Sequence, residues 1–129
     1  MAKQKKPPPP YLNTSLEDMD GEVWDDVVGY DGSYQVSNMG RVKSVHRLVR
    51  NQYVKEKILK QNIRKDNNCA VKLSIGGVKK TKLVSSLVRN VFFKDIDREN
   101  QVLIHKNKVK FDNRVSNLIA GTESESSLL

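Results

Sequence analysis

The 129-residue chain carries 23 Lys and Arg against 15 Asp and Glu, with two His and one Cys. This length holds one domain, or two small lobes sharing a core, and excludes a large multi-domain enzyme. A single Cys (Cys69) excludes an internal disulfide and a Cys-based zinc site, and two His exclude most transition-metal cages.

No run approaches the ~18 apolar residues of a membrane span, and the N-terminus lacks the apolar stretch of a signal peptide, so no membrane association and a cytoplasmic location are expected. The charge is segregated. Residues 11–40 carry seven acids and no Lys or Arg, whereas residues 41–82 carry thirteen bases and only Glu56 and Asp66 as acids. A field concentrated in this way attracts a polyanion, with a strength that falls as salt rises.

In chain order, residues 1–20 read as a flexible, basic, Pro-rich arm. Lys3, Lys5 and Lys6 precede Pro7 to Pro10, a run that favours extended polyproline backbone. The structured body is expected from about Gly21 to Thr122, with 123–129 a polar tail. Tyr34–Ser37 reads as a strand, Asn38–Gly40 as a turn, and Arg41–Leu48 as a strand.

Residues 69–75 alternate, placing Cys69, Val71, Leu73 and Ile75 on one face. Gly76-Gly77 then turns the chain into a second strand, Val78–Val84. The period next changes: Val84, Leu87, Val88, Val91 and Phe92 make the apolar stripe of a helix. Gln101–Ile104 reads as a short strand, and Asp112 as the cap of a final short helix carrying Val115 and Leu118. The fold class is α+β: a small antiparallel sheet lobe over residues 21–83 with one packing helix, then a strand–loop–helix unit within 84–122.

Residues 21–44, GEVWDDVVGYDGSYQVSNMGRVKS, resemble the nuclease-associated modular (NUMOD-type) motif that opens many phage HNH homing endonucleases. Residues 102–118, VLIHKNKVKFDNRVSNL, are similar to the ββα-metal nuclease motif of the same family. The weaker segments Lys57–Lys60 and Leu83–Val88 occupy the places of the family's second hairpin and following helix, with Ser85 where a His is usual.

The resemblance implies His105 as general base, Asn113 as a structural residue and Asn117 as a metal ligand. It also implies Mg²⁺ or another divalent cation if the chain is active, and duplex DNA as partner. Three positions depart from it. Ile104 stands where the first metal ligand is expected and offers no lone pair to a hard cation; Lys108 or a neighbour replaces the turn glycine; and Ile119-Ala-Gly121 follows where a Trp is expected. Asp112 could supply a carboxylate only from a rearranged loop.

The basic segment supplies phosphate contacts, for which Arg41, Lys43, Arg47, Lys72, Lys79, Lys80 and Lys82 are the candidates. Trp24, Tyr30 and Tyr34 read as packing residues and His46 as a surface or groove residue. These features together imply a duplex-DNA-binding protein derived from a homing endonuclease, with weakened or lost cleavage. Two alternatives stand beside it: an active metal-dependent nicking endonuclease, and a repurposed component of a phage or nucleoprotein assembly that binds RNA or protein. Family members often carry a further helix-turn-helix beyond this point, so binding here is expected to be less specific or to depend on a partner.

Overall fold

The computed structural model describes residues 8–126. Three short strands, β1 (Trp24–Asp26), β2 (Tyr34–Ser37) and β3 (Val42–Ser44), form an antiparallel meander whose outer edge is β6 (Lys57–Ile58). Between β3 and β6 the chain makes a hairpin, β4 (Arg47–Val49) with β5 (Gln52–Val54), in which the two strands pair only with each other. The strand expected over Arg41–Leu48 is therefore broken at Val45–His46, where the backbone leaves the first sheet and enters the hairpin.

A second sheet has the order β7 (Asn62–Ile63), β8 (Cys69–Ile75), β9 (Val78–Leu83), and β9 runs directly into α1 (Val84–Phe92). The alternation read from 69–75 is realised: Cys69, Val71 and Leu73 are buried, and only Ile75, beside the Gly76-Gly77 turn, is exposed. Gly76 and Gly77 both take positive φ, which glycine adopts without a Cβ penalty. Helix α1 has no side-chain cap. Its stability comes instead from burying Val84, Leu87, Val88 and Val91 against β2, β8 and β9, since packing of an amphipathic face outweighs propensity in a nine-residue helix.

The last unit pairs β10 (Val102–His105) antiparallel with β11 (Leu118–Gly121) across a loop, and one helical turn, α2 (Glu123–Ser126), follows. The capped helix expected after Asp112 is absent: Val115–Asn117 is a single 3-10 turn without a side-chain cap, and Leu118 is a strand residue. Leu118 joins the same cluster as Val36, Val42, Leu73 and Val88, so both parts of the chain share a hydrophobic core. Cys69 lies in that core, and burial pushes its thiol up to about 11, leaving it unreactive. No helix of the described residues is long and apolar enough to cross a membrane.

Residues 8–20 do not hang free. Their carbonyls converge on Arg41, whose side chain is completely buried. Its Nε donates to Glu22 Oε2 at 2.9 Å and Nη2 to Glu22 Oε1 at 2.6 Å, while the remaining donors reach the carbonyls of Asn13, Ser15 and Glu17. The arm then lays Tyr11 on Phe111 with ring centroids 4.8 Å apart. The basic part of the expected arm, Lys3 to Lys6, lies outside the described residues.

Burial alone raises the Glu22 carboxyl. Hydrogen bonds from Arg41, the Met19 N–H and Ser37 outweigh it, and the group titrates below its usual 4.5. As pH falls the unfolded chain therefore takes up the proton first. The contribution of the pair is complete above 4.5 and is lost as pH falls through the lowered folded value. Arg41→Ala leaves Glu22 as an uncompensated buried charge and is expected to cost about 3–5 kcal/mol in urea unfolding at neutral pH. That cost should shrink as the pH is lowered below 4.5, and a pH-independent cost would contradict this account.

Candidate nucleic-acid interface and nuclease-like cleft

The seven cations expected on phosphates divide sharply. Arg41 is sealed inside, as described. Lys43 is also buried, its Nζ 3.2 Å from Glu56 Oε1 and 4.1 Å from the centroid of the Trp24 ring. Arg47 is half-buried: its Nη1 donates to the carbonyls of Ser33 and Val45 and to Ser44 Oγ, and its Cζ sits 4.9 Å over the Tyr34 ring. These three are internal ties of the β lobe. The assignment of Arg41 as a phosphate contact is corrected, because all five of its N–H donors are taken up inside the protein, whereas Lys43 is buried on Glu56 and Arg47, though tied to the lobe, still lines a groove. Tyr30 and Tyr34 are core residues, packed edge to face.

The other four lie on the β8–β9 hairpin, and its register separates them. Lys72 is opposite Thr81 and Lys79 opposite Ser74, whereas Lys80 is opposite Leu73 and Lys82 opposite Val71. Directly opposed residues share a face, so Lys72 and Lys79 project from one side and Lys80 and Lys82 from the other. On the first side a groove of about 250 Å³ runs between the two sheets, lined by Lys57, Lys72, Lys79, Arg47, Ser44 and Ser74 among others, with no carboxylate in its lining. Lys57 belongs to this surface although its basic character alone did not single it out. The pairing of Lys57 with Ser44, and of Ser44 with Tyr34, puts it there.

The nuclease-like unit opens on a second cleft of about 390 Å³, lined by His105, Ser85, Ser86, Arg89, Arg98 and Lys110 among others, again without a carboxylate. His105 closes β10, and its Nε2 lies 2.8 Å from Asn113 Oδ1. A carbonyl oxygen only accepts, so an Nε2–H donates in this contact, and in the neutral imidazole Nδ1 then carries the lone pair. Arg89 Nε is buried without a hydrogen-bond partner in the protein. Arg89 and Ser85 belong to the candidate site through the helical spacing of α1, which places them one turn apart.

The expected metal ligand Asn117 is tied into the loop. Its side chain is buried, Oδ1 accepts from the Asn107 N–H, and Nδ2 donates to Asn107 Oδ1 and to the Asp112 carbonyl. Asp112 is likewise occupied, gripping Arg114 through both carboxylate oxygens at 2.8 Å and accepting from Asn107 Nδ2. The hydrogen bonds from Arg114 hold its carboxyl below its usual 3.8 despite partial burial.

Ile104 points into the protein, where its Cδ1 would lie 2.8 Å from a Cβ on Gly121. Lys108 occupies the turn at φ 62, a left-handed conformation that glycine tolerates better. The donor set therefore does not fit a divalent cation, and among the described residues no cluster of three or more His, Cys, Asp or Glu exists.

The comparisons with known proteins agree with this architecture. The NUMOD4 motif matches residues 22–74. DNA endonuclease I-HmuI of Bacillus phage SP01 is 38% identical over 95 residues, covering 74% of this chain and 49% of that protein. A solved structure describing DNA binding and cleavage by the HNH homing endonuclease I-HmuI superposes with a TM-score of 0.65 at 34% identity, covering 82% of this chain and 56% of that one. The chain is related to the phage HNH homing endonucleases. It spans about half the length of the curated relative it matches.

In this HNH-related chain the NUMOD4 region and the nuclease-like loop meet at Gly40. The residue has φ +76, and a Cβ there would stand 2.9 Å from the backbone C and O of Asn113. The neighbouring Asn38 carbonyl accepts from the Val115 N–H at 2.8 Å. Gly40→Ala must strain the backbone and push the loop at once, for an expected cost of about 2–5 kcal/mol in thermal or urea unfolding. It should also broaden the NMR signals of His105 and Asn113. Unchanged stability and unchanged loop signals would mean that the two parts are not coupled through this contact.

Proposed function

We propose that the chain is a duplex-DNA-binding protein derived from an HNH homing endonuclease, with cleavage weakened or lost. One contrast carries the reading: free cations converge in a groove without carboxylates, while the side chains that would ligate a metal beside His105 are apolar or already hydrogen-bonded. The similarity to an endonuclease that binds and cleaves DNA supports the substrate class. Lys57, Lys72 and Lys79 contact phosphates from one face, with Lys80 and Lys82 available to a backbone on the other. Mg²⁺-assisted hydrolysis needs oxygen donors beside His105; Ile104 offers none, and the Asn117 amide is engaged by Asn107 and Asp112.

A second reading rests on His105. With Nε2 held by Asn113, its Nδ1 could accept a proton from water, and Arg89, Arg98 and Lys110 could receive a phosphodiester in the same cleft. Slow nicking by this route would not require a resident cation.

Two measurements separate these readings. Replacing Lys57, Lys72 and Lys79 with Ala should weaken binding to unrelated duplexes alike and flatten the slope of log K against log salt by roughly 2–3 units; an unchanged slope would remove the groove from the interface. A supercoiled-plasmid assay with Mg²⁺ or Mn²⁺, at protein levels that shift the DNA, should show no nicking. Nicking that survives EDTA and disappears in His105→Ala would establish the second reading instead, and nicking abolished by EDTA would show that a cation is held after all.

A further inference from the structure

The N-terminal arm does more than close over Arg41. Where it crosses the loop between β10 and β11 it borders a cavity of about 480 Å³, within the roughly 300–1,000 Å³ usual for small-molecule sites. Residues 8–20 precede the region matched by the NUMOD4 motif, so this wall belongs to no part of that motif. The lining is mostly rings and thioethers: Pro9, Pro10 and Tyr11 on the arm, Phe111 on the loop, with Met19 and Met39.

The wall is built before any ligand arrives. Pro9 holds φ −59 and ψ 156, extended polyproline backbone with little freedom left to lose. The 3-10 turn Pro10–Leu12 follows, and Arg41 then ties down the carbonyls of Asn13, Ser15 and Glu17. Tyr11 is fixed against Phe111, the two rings inclined at 59°. Preorganisation of this kind lowers the entropy lost on binding.

One polar group selects the ligand. Asn113 also lines the cavity and is only 3% exposed, yet its Nδ2 has no hydrogen-bond partner among the described residues. The other half of the same amide, Oδ1, accepts from His105 Nε2. A buried amide donor without an acceptor is costly and uncommon, which makes it the place for an incoming acceptor. Charge does not contribute to recognition here. Asp112 and Arg114 in the lining neutralise each other through two hydrogen bonds of 2.8 Å. The fitting ligand is therefore neutral, flat enough to lie against aromatic rings and thioethers, and equipped with an acceptor.

We propose that this cavity binds a neutral heteroaromatic ring carrying a carbonyl, of the nucleobase kind, with that carbonyl on Asn113 Nδ2. A free nucleoside and an unpaired base of a nucleic acid share this chemistry. Occupancy is felt at the nuclease-like cleft, because a bond donated from Nδ2 polarises the amide and strengthens the bond that Oδ1 accepts from His105. The inference stands on the arm and the loop, and does not require the lysine groove to bind DNA.

The test titrates the full chain with thymine and with toluene, a six-membered ring without an acceptor. It follows the methyl NMR signals of Met19 and Met39 and the ring signals of His105. Thymine should move all three residues, whereas toluene should move the methionines and leave His105 largely unchanged. Asn113→Asp keeps an acceptor for His105 but removes the donor, and should lower the affinity for thymine relative to toluene roughly fivefold. Met39→Trp fills the cavity and should abolish binding of both compounds. Unfolding curves report whether each variant is folded, and the contrast between thymine and toluene on the unaltered chain needs neither.

Thymidine, a duplex with one unpaired thymine and a fully paired duplex then identify the source. Shifts confined to the duplex with the unpaired thymine assign the site to a base in a nucleic acid, and saturation by thymidine with equal behaviour of both duplexes assigns it to a free nucleoside. Methionine signals that thymine does not move overturn the proposal. So does a preference between thymine and toluene that a folded Asn113→Asp leaves unchanged, or binding that a folded Met39→Trp retains.

Discussion

A guanidinium cannot be left in a protein interior with idle donors, and that constraint organises this chain. Arg41 has five N–H groups, and each has an acceptor: two go to Glu22 and three to the carbonyls of the N-terminal arm. Satisfying them fixes where Glu22 enters the first sheet and bends residues 8–20 back across the molecule. The returning arm carries Tyr11 onto Phe111, and Phe111 lies in the loop that holds Asn113 beside His105. The residue preceding Arg41 is Gly40, whose missing Cβ admits the other side of that same loop. One buried ion pair thus braces the nuclease-like unit through both the arm and the β2–β3 turn.

The elements that could be read from the chain are those governed by local periodicity. Strand β8, the diglycine turn and α1 follow from two- and 3.6-residue patterns and from glycine's tolerance of positive φ, and the structure places them where those patterns end. The strand expected through Leu48 failed because the break at Val45–His46 has no local signal. It is imposed by Arg47 reaching back to Ser33 and Tyr34. The final helix failed for a related reason: Asp112 has the chemistry of a cap, yet its carboxylate is engaged by Arg114 and Asn107, and Leu118 is claimed by its pairing with His105.

Charge could be read as a total but not as an inventory of free groups. Segmental counting treats every Lys and Arg alike, whereas Arg41, Lys43 and Arg47 owe their positions to acceptors inside the β lobe. No sequence period distinguishes an arginine that faces solvent from one that faces five oxygens. The sequence did hold one hint. Residues 11–40 are acidic where 41–82 are basic, and some of those opposite charges meet across the fold, as Glu22 does with Arg41. Lys57 was overlooked for the complementary reason, since only sheet register brings it beside Lys72 and Lys79.

The loop between β10 and β11 is held in shape by its own side chains. A carboxylate facing a cation at position 104 would have to be desolvated and paired. Ile104 removes that requirement and fills the volume against Gly121, where any side chain would collide with it. Asn107, Asp112, Arg114 and Asn117 then close the loop with hydrogen bonds among themselves. Lys108 retains the left-handed turn at a strain of about 1 kcal/mol, a small cost against that network. His105 is oriented by Asn113, which is held by the loop and by packing against the turn at Gly40. The cleft beside His105 is thereby shaped by the chain's own hydrogen bonds and lined by Arg89, Arg98 and Lys110.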